Sequence, residues 1–252
     1  GNTRYLKDEI DSHLADYAQH GVTMGSENDI YVAKIGSLFE FTPLEANYGG
    51  TIRAIATDDG FVYVGGGTTR TVRKLRKSDL SQVAESADYG GDIYAIATDN
   101  EFVYVGGGAT RTVRKLRKSD LSQVAESANY GGAIYAIATD NEFVYVGGWT
   151  TRTIRKLRKS DLSQVAESAN YGGDIEAIAT DDEFVYVGGW TTRTVKKLRK
   201  SNLSQVAESS SYGSGPIYAI ATDNEFVYVG GGNTYLRVIE NRELIKIIRR
   251  YQ

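Results

Sequence analysis

The stretch that decides the fold runs from Tyr89 to Asn129, YGGDIYAIATDNEFVYVGGGATRTVRKLRKSDLSQVAESAN. It starts again at Tyr130 and Tyr171, and near-copies start at Tyr48 and Tyr212, so the start points (48, 89, 130, 171, 212) are 41 residues apart. A fixed period of this size marks an array of like supersecondary units, each unable to bury its apolar face without its neighbours.

One unit reads as four short strands. The first is residues 93–98 and the second residues 102–105, joined by the turn Asp99-Asn100-Glu101. After Gly106-Gly107-Gly108 comes a third strand over 112–117, then the turn Lys118-Ser119-Asp120 and a fourth strand over 121–127. Val, Ile, Tyr, Phe and Thr fill the strand positions, and Gly, Asn, Asp and Ser fill the breaks. The unit holds no apolar stripe of helical period. Four antiparallel strands make one twisted sheet that cannot cover both its faces, and packing successive sheets around an axis solves this. The expectation is an all-β chain, a β-propeller of six blades with four antiparallel strands each. Small residues at Ala95-Ile96-Ala97 suit the innermost strand, and the charged third and fourth strands suit the rim.

The order AIATD, FVYVGG, TVRKL, QVAES resembles propeller blades of the YVTN, PQQ and WD types, YVTN most closely, over residues 21–251. The usual WD dipeptide is absent. The resemblance implies a fold and leaves the activity open, because such propellers host many functions.

The chain has 252 residues, with 29 Lys plus Arg against 32 Asp plus Glu, a formal net charge of −3. That balance gives no drive towards nucleic acid or an anionic membrane. Without cysteine there is no disulfide, thiol catalysis or thiolate metal site. No apolar run is long enough for a bilayer-spanning helix. The chain begins Gly1-Asn2 rather than with Met, which suggests a tag remnant or an excised fragment.

Residues 1–20 are expected to carry a short amphipathic helix over 4–20, with Leu6, Ile10, Leu14 and Tyr17 on one stripe, Thr3 as its cap and Gly21 as its end. A helix this short needs a partner, either the propeller or copies of itself. The string Glu9 to Asp16 resembles a segment of bacteriophage and prophage tail and tail-fibre proteins. That implies a virion-associated, extracellular protein, with residues 4–20 contacting other virion subunits. Residues 21–47 read as a degenerate unit, with Asp29-Ile30-Tyr31-Val32 as its second strand and Ser37 to Phe41 as its third. The remaining units are 48–88, 89–129, 130–170, 171–211 and 212–252, the last with a final strand over 244–251. Five blades is the alternative, if the N-terminal strands only complete the last sheet.

Chemistry has little to build on. Both histidines, His13 and His20, lie in or beside the expected helix, so neither a triad nor a multi-histidine metal site is available to the repeats. The glycine run precedes a strand rather than a helix, so it reads as a loop permitting unusual backbone angles, not a phosphate cradle. Asp58-Asp59-Gly60 and Asp181-Asp182-Glu183 read as hairpin turns rather than calcium ligands. Arg114 to Lys118 reads as a solvated, charge-paired rim, with Glu126 on the neighbouring strand, rather than a nucleic-acid patch. No cofactor is expected.

The near-identical units point to the functional face by where they differ. The residue after Tyr-Gly-Gly is Thr51, Asp92, Ala133 and Asp174. Two residues further on stand Arg53, Tyr94, Tyr135, Glu176 and Tyr218. The third residue of the glycine run is Gly67, Gly108, Trp149, Trp190 and Gly232. Strand parity places these positions at one end of every sheet. Exposed Trp among variable Tyr, Arg, Asp and Glu suits recognition. The expected ligand-binding residues are Trp149, Trp190, Tyr94, Tyr135, Glu176, Tyr218, Arg53, Asp92 and Asp174, and the expected partner is a cell-surface glycan or protein. An assembly role through the rim and helix is the alternative. A polysaccharide-acting enzyme built on Glu176, Asp174 and Arg53 is a third reading.

Overall fold

The computed structural model describes residues 44–241. The chain separates into Gly1–Leu44 and Glu45–Gln252. The expected helix over 4–20, the unit over 21–47 up to residue 43, and the final strand over 244–251 lie outside the described residues.

Every regular element among the described residues is a strand. Sheet 1 is β1 (Ile52–Thr57), β2 (Phe61–Gly66), β3 (Arg73–Arg76) and β4 (Gln82–Glu85). Sheet 2 is β5 (Ile93–Thr98), β6 (Phe102–Gly107), β7 (Arg114–Arg117) and β8 (Gln123–Glu126). Sheet 3 is β9 (Ile134–Thr139), β10 (Phe143–Gly148), β11 (Arg155–Arg158) and β12 (Gln164–Glu167). Sheet 4 is β13 (Ile175–Thr180), β14 (Phe184–Gly189), β15 (Lys196–Arg199) and β16 (Gln205–Glu208). Sheet 5 has three described strands, β17 (Ile217–Thr222), β18 (Phe226–Gly231) and β19 (Arg237–Glu240). Within each sheet the strands are antiparallel and neighbour one another in chain order. The third and fourth strands are shorter than expected, and the second runs on through two glycines.

The first strands stand side by side, β1 next to β5, β5 next to β9, β9 next to β13 and β13 next to β17. This makes them the inner strands of an array of blade-like sheets. Among the described residues β17 and β1 do not touch, so the array is open. Each seam between sheets carries its own core. Between sheets 1 and 2 it holds Tyr63 and Val72 from one side and Tyr89, Ile93, Val105, Leu116 and Leu121 from the other. Each such side chain, fully buried, contributes about 1.5–3 kcal/mol.

The glycine run has a different cause from the one expected. None of Gly65, Gly106, Gly147 or Gly188 adopts a left-handed backbone. A Cβ on Gly106 would lie 2.5 Å from Cγ2 of Ile134 on the next sheet, so this glycine sets how closely sheets approach.

The turns hold by side-chain capping. The Asp99 carboxylate accepts the backbone N–H groups of Glu101 and Phe102 at 2.9 and 2.8 Å. Its other oxygen accepts the Tyr104 hydroxyl at 2.8 Å and meets Lys159 of sheet 3 at 2.8 Å. The same Asp–Tyr–Lys latch joins Asp58, Tyr63 and Lys118, and Asp140, Tyr145 and Lys200. In sheet 5 Asn241 replaces the lysine and donates to Asp181 at 2.8 Å. The turn aspartates therefore also bind one sheet to the next. Burial by itself would raise Asp99, but the Lys159 ammonium and the donors from Glu101, Phe102 and Tyr104 bring it down to about 2.

The basic run is likewise not a purely solvated rim. Lys115 is buried, with its ammonium 3.8 Å from the Phe102 ring centroid and donating to the Lys159 carbonyl at 2.6 Å. Burial lowers its pKa. Arg114 does pair with Glu126 on the neighbouring strand, at 3.5 Å.

Candidate functional site

The backbone itself builds the site. In sheet 2, Ile93 faces Gly107 and Ala95 faces Gly106, so Tyr94 is an extra residue in a β-bulge. Arg53, Tyr135, Glu176 and Tyr218 occupy the same bulge in sheets 1, 3, 4 and 5. A bulge leaves one residue out of the ladder and re-aims its side chain. Glycine permits it: a Cβ on Gly107 would lie 2.0 Å from the Asp92 carbonyl oxygen. The residue after that glycine closes the bulge by donating its N–H to the same carbonyl, as Gly108 does to Asp92, Trp149 to Ala133 and Trp190 to Asp174, each at 2.9 Å.

The fourth-to-first connection does meet the second-to-third loop, as strand parity requires. Tyr89 N–H donates to the Arg70 carbonyl at 2.8 Å, and Tyr130 N–H to the Arg111 carbonyl at 2.7 Å. The variable positions therefore share one end of the array.

Eight of the nine expected residues form a continuous strip across the five sheets. Arg53 meets Asp92 at 3.5 Å and lies 5.4 Å from the Tyr94 ring centroid. Tyr94 and Tyr135 have ring centroids 5.2 Å apart at 57°. Tyr135 lies in the field of Glu176 and Asp174, and burial first, then these carboxylates, raises its pKa. Asp174 pairs with Arg152 at 3.2 Å. Glu176 is half-buried and sits beside Trp190. Burial and then the Asp174 carboxylate hold it above the usual carboxylate range, and the Trp190 indole draws it partly back. Trp190 meets Tyr218 edge-on, with centroids 6.0 Å apart.

Trp149 stands apart. It is 51% exposed and makes no ring contact among the described residues, whereas Trp190 is 43% exposed and part of the strip. Each tryptophan is followed by a threonine in the left-handed region, Thr150 at φ 74° and Thr191 at φ 66°. A β-branched residue there is strained, so the loops holding the indoles are over-determined by their surroundings. Arg152 is a strip residue that comparison of the repeats missed, because an arginine recurs there as Arg70, Arg111 and Arg193. Only its partner changes.

The opposite end of the array carries two clefts of about 560 and 380 Å³ between successive hairpin turns. Asp99, Asp140 and Lys159 line the larger, and Asp140, Asp181 and Lys200 the smaller. Asp99 with Lys159 and Asp140 with Lys200 are latch pairs, and an aspartate-asparagine-glutamate turn lines both clefts.

No family model matches the chain, and no curated protein matches it. Among solved structures it is similar to the computationally designed protein Ika8, at a TM-score of 0.68 and 16% sequence identity. The match covers 79% of this chain and 61% of the designed chain. At that identity the likeness concerns the fold alone.

Proposed function

We propose that this chain is a non-enzymatic recognition module that binds a cell-surface glycan or protein along the strip from Arg53 to Tyr218. One observation carries the reading. Five sheets use the same bulge to present a side chain, and there Arg53 and Glu176 stand among the tyrosines Tyr94, Tyr135 and Tyr218 while the core and most latch residues repeat. Flat aromatic faces beside charged groups suit a sugar, whose C–H face stacks on rings while its hydroxyls find polar partners.

In this reading the array belongs to a six-bladed propeller, with the unit over 21–47 as its degenerate member. The two ends of the described array support it. Ile52 is 44% exposed where its counterpart Ile93 is fully buried, and Ile55 is 60% exposed where its counterpart Ile96 is half-buried. At the other end Gly230 has nothing within 4 Å of a built Cβ, where Gly106 meets an isoleucine, and Leu236 and Val238 are exposed. Both surfaces are interior faces of a blade stack. The resemblance of Glu9 to Asp16 to tail-fibre segments supports placing the protein on a virion, with residues 4–20 directed to other subunits or to copies of itself.

The test is fluorescence titration of the full chain with a panel of bacterial surface glycans, using its two tryptophans as reporters. A saturable change that disappears in a folded Trp149→Ala/Trp190→Ala variant, read by affinity capture, supports the reading. Capture unaffected by that double substitution would refute the proposed strip.

A further inference from the structure

The strip contains its own example of how it holds a cation. In sheets 1 and 2 a bulge residue, Arg53, reaches across the seam to the carboxylate that follows Tyr-Gly-Gly, Asp92, at 3.5 Å. Its guanidinium also lies 5.4 Å from the ring of the next bulge residue, Tyr94. Ring and carboxylate together attract a positive charge more strongly than either does alone.

Two seams along, a ring and carboxylates meet again in other positions: Tyr135 stands where Arg53 does, Asp174 where Asp92 does and Glu176 where Tyr94 does, and none of these three is a cation. The bulge residue of sheet 3 is Tyr135, and on the neighbouring sheet 4 the same bulge carries Glu176, two residues after Asp174, near enough for both carboxylates to act on the Tyr135 hydroxyl. Arg152 takes Asp174 at 3.2 Å. Among the described residues Glu176 forms no ion pair, and Asp174 and the Trp190 indole lie close enough to act on it. The charges along the strip are Arg53 and Arg152 against Asp92, Asp174 and Glu176, so one negative charge is left over, and it is the half-buried one. A half-buried carboxylate beside a second carboxylate is costly as an anion unless a cation joins it. Around it stand Tyr135, Trp190 and, edge-on to Trp190, Tyr218.

We propose that Glu176, Tyr135 and Trp190 form a subsite for a ligand ammonium group, and that the ligand is an amino sugar with a free amine. The proposal rests on the glycan-binding reading of the strip and narrows it. The sugar ring stacks on the exposed indole of Trp190 and the Tyr218 edge, while the ammonium lies against the Glu176 carboxylate beside the Tyr135 ring. An N-acetylated sugar brings the same ring without the charge.

The experiment uses the full chain carrying Trp149→Phe, which leaves Trp190 as the single indole reporter. It is titrated at neutral pH with glucosamine oligosaccharides, with their N-acetylated counterparts, and with lysine methyl ester. The expected result is saturable binding of the free-amine oligosaccharide, about ten-fold tighter than that of the N-acetylated one. Glu176→Gln, checked for native circular dichroism, should erase the difference while leaving the residual stacking affinity. Equal binding of both oligosaccharides, or discrimination that survives Glu176→Gln, overturns the ammonium subsite and leaves the sugar-binding strip standing. Lysine ester binding as tightly as the oligosaccharide, and depending on Glu176, overturns the sugar and assigns the subsite to a lysine side chain. No response to these sugars, nor to any member of a wider glycan panel, overturns both the subsite and the glycan reading.

Discussion

Replacing Gly107 with alanine tests the physical origin of the bulge. The added methyl carbon would stand 2.0 Å from the Asp92 carbonyl oxygen and 3.0 Å from Ile93 Cα, both backbone atoms with no rotamer to change. An ordinary carbon–oxygen contact is about 3.3 Å, so β5 and β6 must part by about 1.3 Å at this point. The parting breaks the Gly108 N–H bond to Asp92, now 2.9 Å, and withdraws the support that aims Tyr94. A lost buried hydrogen bond of about 1 kcal/mol and overpacking strain of about 2 kcal/mol sum to about 3 kcal/mol. For a domain of this size that lowers the melting temperature by roughly 6–12 °C. The control is Gly60→Ala, where a Cβ meets nothing within 4 Å and the backbone is not left-handed. That change should be neutral, or stabilise by up to about 1 kcal/mol through the unfolded chain. Thermal and urea unfolding followed by circular dichroism compare the two variants with the parent. Gly107→Ala within about 0.5 kcal/mol of the parent would show that glycine is not what permits the bulge.

Three further outcomes follow from the seams. Lys159→Met strips Asp99 of its partner on the next sheet and should cost about 2 kcal/mol in urea unfolding, with Asp99→Asn/Lys159→Met recovering part of it; a cost no greater than a surface change would remove the latch from the seam energetics. Asp99 titrates at about 2 in the folded state, below its unfolded value of 3.8, so its contribution is complete above the unfolded value and is lost as pH falls from there through about 2. Melting temperatures should therefore decline through that acid window, and Lys159→Met should flatten the decline; an unchanged slope in the variant would contradict the assignment. A chain cut to residues 44–252 presents the rear of sheet 1, with Ile52 and Ile55, and the front of sheet 5, with Gly230, Leu236 and Val238. These ends are complementary rather than alike, so the truncated chain should associate head to tail, read by sedimentation velocity. A well-behaved monomer would refute the reading of these two faces as interior faces of a blade stack.

Much of the architecture was legible because the chain repeats. The 41-residue period and the alternation in IYAIAT and FVYV set strand number, order and pairing, and the expected first strand, residues 93–98, is the observed β5. The position of the variable residues at one end followed from strand parity alone. The glycines were misjudged because a sequence shows that a side chain is missing and not what occupies its place. Gly106 meets the neighbouring sheet and Gly107 a carbonyl of its own sheet, and neither contact has a signature in nearby residues. The basic run was misjudged for a related reason. Lys115 and Lys118 reach partners 44 and 60 residues away, at Lys159 and Asp58, so only the stacking of sheets separates a buried lysine from a solvated one.

The sequence by itself determined the repeat, the four-stranded unit and the set of residues free to vary, because local strand propensity and turn chemistry act within a few residues of one another. Tertiary structure decided which of those residues meet. The bulge turns Arg53, Tyr94, Tyr135, Glu176 and Tyr218 out of their ladders, and the spacing of the sheets brings Tyr94 against Tyr135 and Trp190 against Tyr218, while Trp149 meets no ring among the described residues. Contacts across a seam join residues about one repeat apart, and their geometry is set by how closely two sheets can approach, which depends on packing rather than on any local pattern.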